Sequence, residues 1–144
     1  MIKFEIVNNS TKLIDLDPPH VDQRGKIQSI LNKSNTNVSL INSLKFSIRS
    51  NHYHLTDWHY MYTISGSYYY FYKSTNSNES LKRIKVNKGQ QIYTGPMETH
   101  VTIFLEDTEL LVISKNPRDQ VNYEKDTVRD IIISNKEIKN YVND

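Results

Sequence analysis

The feature that most constrains the fold of this 144-residue chain is a succession of short apolar segments separated by polar turns. Many short strands at a spacing of about 8–12 residues are typical of two packed antiparallel sheets. We therefore predict an all-β jelly-roll barrel, a double-stranded β-helix, in a single domain covering residues 1–144, with a short helix at 136–142. The predicted strands are 4–7, 12–16, 26–31, 38–41, 44–48, 60–64, 68–72, 82–86, 91–93, 100–104 and 109–114.

Composition limits the partners and the cellular setting. The net charge is +2, and the 18 lysines and arginines are scattered, so no nucleic-acid partner is indicated. No apolar run approaches the length of a membrane span, and residues 1–7 are too short and too charged for a secretion signal. The chain has no cysteine, which excludes a thiolate zinc site and agrees with a cytoplasmic protein.

Four of the five histidines form one arrangement. His52, His54 and His59 lie within eight residues, and His100 follows about forty residues later. Alternate side chains of a strand share a face, so His52 and His54 point into the same cavity, where the other two can join them. Neutral imidazoles that converge in this way bind zinc, iron, manganese, nickel or copper. The pattern therefore predicts a site for one divalent transition metal.

The histidine spacing resembles the first cupin motif, a glycine, H-x-H, three or four residues, a glutamate, six residues and a glycine. His52, His54 and Gly66 match it, and His59 stands where the glutamate usually does. Gly89 to His100 is similar to the second motif, although Phe104 replaces an asparagine that is common there. The resemblance covers about residues 40–115. It implies a cupin barrel with the ligands His52, His54, His59 and His100, and it leaves iron, manganese, nickel and zinc open.

A second resemblance concerns the substrate. Asp22-Gln-Arg-Gly25 and Arg49-Ser-Asn-His52 are similar to the layout of small sugar-nucleotide cupins, the deoxysugar epimerases and ketoisomerases, although Ser50 replaces a glycine. The resemblance implies that His52 and His54 act as acid or base next to a ketone and that Arg49 binds substrate. An ordinary turn explains residues 22–25 equally well. Two further residues are candidates for the cavity mouth, Tyr93 and Phe104.

Three functions remain open at this point. The first is an isomerase or epimerase acting on a carbohydrate or sugar nucleotide. The second is a metal-dependent dioxygenase, and the third is a non-catalytic protein that binds a small ligand. Two carboxylates near the motifs, Asp57 and Glu98, either orient a histidine or face solvent, and we expect them to face solvent.

Tyrosines alternate along two of the predicted strands. If His59, Met61 and Thr63 point inward, Tyr60 and Tyr62 point outward, and we place Tyr53 with them. Residues 68, 70 and 72 form a second row of tyrosines, and Ser65-Gly66-Ser67 is predicted to join the two strands as a hairpin. Because tyrosine is enriched at interfaces, we expect the Tyr53, Tyr60 and Tyr62 face to be buried in a homodimer.

Overall fold

A computed structural model describes residues 16–33, 36–75 and 77–143. The predicted strand at 4–7, and all but the last residue of that at 12–16, lie outside these residues. The described chain forms eleven strands, two short α-helices and a 3₁₀ turn at Asn135–Glu137. The strands are β1 His20–Asp22, β2 Gly25–Lys33, β3 Thr36–Ser43, β4 Ile48–His54, β5 His59–Ser65, β6 Ser67–Ser74, β7 Lys82–Asn87, β8 Gln91–Thr94, β9 Glu98–Phe104, β10 Thr108–Ser114 and β11 Thr127–Arg129, and the helices are α1 Gln120–Asp126 and α2 Lys139–Val142.

The strands form two antiparallel sheets. The first sheet has the order β1-β2-β3-β10-β5-β8, and the second has the order β11-β4-β9-β6-β7. This architecture confirms the predicted all-β jelly roll, and α2 confirms the short helix near the C-terminus. Among the described residues, no helix is long and apolar enough to cross a membrane. No pattern in the sequence indicated α1 or β11.

The main core lies between the two sheets. Met61 and Thr63 point into it, as the alternation from His59 predicted. Tyr68 and Tyr70 are also almost fully buried there, against Phe104 and other apolar side chains of both sheets. The second row of tyrosines is therefore part of the core and not part of an outer face. Period-two alternation defines two faces of a strand, but only the position of the strand in the barrel decides which face is inside.

The hairpin predicted around Gly66 is wrong. β5 pairs with β10 and β8 in the first sheet, whereas β6 pairs with β9 and β7 in the second. Gly66 is the point where the chain crosses between sheets, with a φ of +86°. A Cβ atom at Gly66 would lie 2.6 Å from the carbonyl oxygen of Asp107, so the corner needs a residue without a side chain.

Two other strand assignments also change. Leu44 to Ser47 form a turn, so the predicted strand at 44–48 survives only as the first residue of β4. Tyr53 lies on β4 of the second sheet, whereas Tyr60 and Tyr62 lie on β5 of the first. The three tyrosines therefore do not share one face.

The C-terminal segment covers the outer side of the second sheet. Phe71, Val101 and Ile103 point away from the main core and pack against Ile133 and the residues around it. The ring of Tyr141 lies 5.1 Å from that of Phe71. Asn51 fastens the segment, because its side chain accepts the N–H of Ile133 at 3.2 Å and donates to the carbonyl of that residue at 2.8 Å.

Candidate metal centre

The barrel brings the four predicted histidines together. His52 and His54 end β4, His59 begins β5, and His100 lies on β9 directly opposite His52. All four are buried, at 7% exposure or less. A register irregularity between Ser50 and His52 leads into the pair, and Ser50 has a φ of +74°. Ser50 thus adopts the backbone conformation that favours glycine, the residue of the sugar-nucleotide motif at this position.

The four rings form one cluster. Ring centroids lie 4.7 Å apart for His52 and His54, 4.8 Å for His52 and His100, and 5.4 Å for His59 and His100. Candidate ligand atoms of His52, His54 and His100 all lie within 4.8 Å of one another. Those of His54, Asp57 and His59 form a second such group.

Each histidine of the pair His54 and His100 has one nitrogen held by the protein and one without a partner. Nδ1 of His100 lies 3.0 Å from the carbonyl of Glu98, and Nδ1 of His54 lies 3.3 Å from the hydroxyl of Thr127. The Nε2 atoms of both are buried without a hydrogen-bond partner, as is Nδ1 of His59. A proton held on Nδ1 leaves a lone pair on Nε2, which is the form that a metal binds. Three orphaned imidazole nitrogens in one buried cluster therefore fit a metal site.

Burial keeps the imidazoles neutral. Desolvation, followed by repulsion from neighbouring groups, lowers the pKa of His54 to about 3. Desolvation also lowers the pKa of His100, to about 4, although the contact with the Glu98 carbonyl acts in the opposite direction. Burial also lowers the pKa values of His52 and His59, with a further contribution from His100 in both cases. The ligands are therefore deprotonated at neutral pH, as metal binding requires.

The sequence did not predict that the carboxylate of Asp126 lies next to His54. Asp126, the last residue of α1, places Oδ2 3.6 Å from Nδ1 of His54. This distance is long for a hydrogen bond, but the charge favours a proton on Nδ1. Asp126 also accepts the Thr56 N–H at 2.9 Å and the Asp57 N–H at 3.0 Å. No local signal marks Asp126, because it lies 72 residues from His54 in the sequence.

Asp57 and Glu98, which we expected to face solvent, are both at least partly buried. Asp57 does not face solvent: it is buried, and it accepts the Asn116 N–H at 2.9 Å. Burial raises its pKa above the usual range. Glu98 is half-buried, and its backbone carbonyl, not its carboxylate, contacts His100.

A cavity of about 590 Å³ opens onto three of the four histidines. Arg49 and Phe104, two of the three residues predicted to bind substrate, line this cavity, together with His52, His59 and His100. Tyr93 is not among the lining residues. It lies on the outer face of the first sheet, 51% exposed, with its ring 5.1 Å from that of Tyr60. The alternation of β8 explains this, because Thr94 takes the buried position next to it.

Four arginines line the cavity, together with three acidic residues, Asp17, Asp119 and Glu124. Arg24 is paired with Asp22, and Arg129 lies 3.6 Å from Glu124. Arg49 donates to neutral groups, the Ser43 hydroxyl at 2.8 Å and the Asn42 carbonyl at 3.3 Å. Burial lowers its pKa to about 10, which still leaves it charged at neutral pH. The guanidinium of Arg118 lies over the ring of Tyr123.

The turn that begins at Asp22 contributes a residue to the cavity lining. The Asp22 side chain accepts a hydrogen bond from the backbone N–H of Arg24 at 2.8 Å and closes a turn. An ordinary turn was one of the two interpretations of residues 22–25. The same turn places Arg24 in the cavity lining. The two interpretations are therefore compatible.

Comparison with known proteins shows the fold. No protein-family model and no curated protein sequence matches the chain. The capsular polysaccharide assembling protein CapF from Staphylococcus aureus is 22% identical with a TM-score of 0.69, and the match covers 82% of this chain and 35% of that one. Oxalate decarboxylase from Bacillus subtilis at pH 4.6 is 15% identical with a TM-score of 0.65, over 85% of this chain and 34% of that one.

The chain has a cupin fold. It spans about a third of the length of these solved structures. A further structure of Bacillus subtilis oxalate decarboxylase, 16% identical with a TM-score of 0.64, is described for its Mn(II) centres; that match covers 80% of this chain and 30% of that one. Identities this low carry the fold and not the activity. The buried histidines of this chain could hold a metal ion.

Proposed function

We propose that this cupin is a metal-dependent enzyme of the isomerase or epimerase type that acts on a carbohydrate or sugar nucleotide. The observation that supports a metal site is that three buried ring nitrogens have no hydrogen-bond partner. They are Nε2 of His54, Nε2 of His100 and Nδ1 of His59. Polar atoms buried without a partner cost free energy, and a cation that accepts their lone pairs removes that cost. His52, His54, His59 and His100 would hold the ion.

The ligand type narrows the choice of ion. Imidazoles suit iron, manganese, nickel and zinc better than magnesium or calcium. A metal held by neutral ligands keeps its full 2+ charge and acts as a Lewis acid on a negatively charged oxygen. His52 lines the cavity, next to the space where a substrate would bind. For a reaction without metal, the sugar-nucleotide resemblance assigns the acid and base roles to His52 and His54, of which only His52 lines the cavity.

The charged Arg49 in the cavity lining supports an anionic substrate. Arg49 is fixed by hydrogen bonds to Ser43 and Asn42, and neither of these groups neutralises it. Guanidinium groups bind phosphates and carboxylates through paired N–H donors, so the diphosphate of a sugar nucleotide suits Arg49 and Arg118. The likeness to a capsular polysaccharide assembling protein agrees with a carbohydrate substrate. The absence of cysteine agrees with a cytoplasmic setting.

Metal content tests the first part of the proposal. We expect the purified protein to hold about one divalent transition metal per chain, and we expect His52→Ala and His59→Ala to lose it. His20→Ala is the matched control, because it removes the fifth histidine, whose side chain is 67% exposed and bonded to Asp22. Elemental analysis measures the metal, and circular dichroism checks the fold. A protein that binds none of Fe, Mn, Ni or Zn would overturn the metal site.

Turnover tests the second part. Sugar nucleotides that raise the melting temperature of the metal-loaded protein are candidate substrates, because a ligand that binds only the folded state stabilises it. We expect such a compound to be isomerised, as followed by NMR, without uptake of oxygen. Oxygen uptake would favour the dioxygenase, and binding without turnover would favour the non-catalytic protein.

A further inference from the structure

The backbone just before His52 has an unusual conformation. Ser50 and Asn51 both have positive φ angles, +74° and +57°, where the pairing of β4 with β9 is irregular. The structure gives a reason for Asn51, because its side chain accepts the N–H groups of Ile132 and Ile133 at 3.1 Å and 3.2 Å. Asparagine also tolerates a left-handed conformation. Serine does so less well, since its Cβ is strained there.

The Ser50 hydroxyl has no hydrogen-bond partner among the residues that the structure describes. Other serines close to it have one. The Ser43 hydroxyl accepts the Arg49 guanidinium at 2.8 Å, and the Ser47 hydroxyl donates to a backbone carbonyl at 2.6 Å. Ser50 is half-buried and belongs to the cavity lining, as do Arg49 and His52 on either side of it. A hydroxyl that is partly withdrawn from water gains from a ligand that forms a hydrogen bond with it.

The strain at Ser50 could be removed by glycine, the residue that the sugar-nucleotide motif has at this position. Strained conformations persist most often at sites where the side chain has a function. His52 follows two residues later on the same strand, so their Cα atoms are at most about 7 Å apart. A molecule bound next to the histidines can therefore contact Ser50 at the same time.

We propose that Ser50 is a specificity-determining residue, whose hydroxyl binds a hydroxyl group on the sugar ring of a sugar nucleotide. This inference rests on the proposed function, in which Arg49 holds the diphosphate and the histidines lie next to the sugar. Along β4, Ser50 lies between these two groups. A serine hydroxyl both donates and accepts, so it pairs with a sugar hydroxyl in either sense. Glycine at this position would offer no side-chain hydrogen bond.

Calorimetric titration of the purified full chain tests the contact. The probes are UDP-glucose, GDP-mannose and dTDP-glucose, each compared with its nucleoside diphosphate. Ser50→Ala keeps the Cβ and its strain but removes the hydroxyl. We expect this variant to bind the sugar nucleotides that the wild type binds about 5-fold more weakly, which is the effect of one neutral hydrogen bond. Its affinity for the nucleoside diphosphates should not change, because Arg49 is intact.

Ser50→Gly separates a role in binding from a role in the fold. It should raise the melting temperature by about 3 °C, because glycine relieves the strain, and weaken sugar-nucleotide binding by about 5-fold. A serine that only supported the barrel would lower the melting temperature when replaced. Phe46→Gly is the matched control, since Phe46 has a similar φ of +61°, is 46% exposed and lies outside the cavity lining. It should leave the affinity unchanged.

The outcomes distinguish this inference from the proposed function. Equal binding of sugar nucleotides by the wild type and Ser50→Ala overturns the role of Ser50 alone. An equal loss of affinity for the nucleoside diphosphates also overturns it, because the hydroxyl would then contact phosphate. Elemental analysis should give the same metal content in all variants, and a loss in Ser50→Ala would mean that Ser50 acts only through His52. A wild-type protein that binds none of the three sugar nucleotides overturns the proposed substrate, and this inference with it.

Discussion

His54 shows how single residues prepare this site. Its Nδ1 faces the Thr127 hydroxyl at 3.3 Å and the Asp126 carboxylate at 3.6 Å, and its Nε2 is buried without a partner. When the proton is on Nδ1, these two groups orient the ring and Nε2 keeps a free lone pair for a ligand. His100 achieves the same result with the Glu98 carbonyl. Neither arrangement needs a charged imidazole, in keeping with the lowered pKa values.

Asp126→Asn tests this support. Removing the charge beside Nδ1 makes His54 a weaker ligand, and we expect metal affinity to fall about 10-fold, as measured by competition with a chelator. Thr56→Val is the matched control, because it removes the 2.6 Å bond from the Thr56 hydroxyl to Asp126 and leaves the carboxylate in place. Equal loss of affinity in both variants would show that Asp126 acts only by fastening the loop.

At the scale of the elements, the corner at Gly66 decides which strands meet. The residues on either side of it belong to different sheets, and the corner lies against Asp107 and Thr108 at the start of β10. β5 brings His59 into the cavity through the first sheet, and β6 lies beside β9, which carries His100, in the second. The crossing at Gly66 thus helps to position histidines from both sheets around one cavity.

Two glycine substitutions separate backbone strain from steric conflict. Gly66 and Gly89 have similar φ angles, +86° and +83°, but a Cβ at Gly66 would lie 2.3 Å from the Thr108 hydroxyl, whereas one at Gly89 meets nothing within 4 Å. We expect Gly89→Ala to lower the free energy of unfolding by about 1 kcal/mol and Gly66→Ala by about 3 kcal/mol or more. Denaturant titration measures both. Equal losses would mean that the corner can move.

At the scale of the whole molecule, the neutral histidines make stability depend on pH. The unfolded chain binds protons on histidine near pH 6.5, whereas in the folded protein the pKa is about 3 for His54 and about 4 for His100. Between these values the unfolded state binds more protons, so the free energy of unfolding falls as the pH is lowered. Carboxylates titrate mainly below pH 5.

We expect the metal-free protein to lose stability between pH 6.5 and pH 5, by up to about 1.4 kcal/mol per pH unit for each buried histidine. Urea denaturation at a series of pH values measures the effect. His100→Asn should make the slope shallower, because it removes one titrating group and keeps a polar side chain of similar shape. A free energy of unfolding that is constant over this range would contradict the pKa shifts.

Local sequence patterns were sufficient to predict the alternation within strands and the set of histidines. Strand period two put His52 and His54 on one face and placed Met61 and Thr63 with His59, and the barrel preserves all of these relations. Short strands at regular spacing were sufficient for the jelly roll. These features could be predicted because they depend on residues two positions apart or on turns between neighbouring segments.

Two features depend on the tertiary structure. One is which side of each strand faces the core, and the other is which residues far apart in the sequence come into contact. Tyr68 and Tyr70 alternate in the same way as Tyr60 and Tyr62, yet the first pair is in the core and the second on the surface. Asp126 lies close to His54 because it ends the short helix α1, which no periodic pattern in the sequence predicted. Burial and long-range contact depend on sheet order and on the crossing at Gly66, and these follow from the packing of the whole chain.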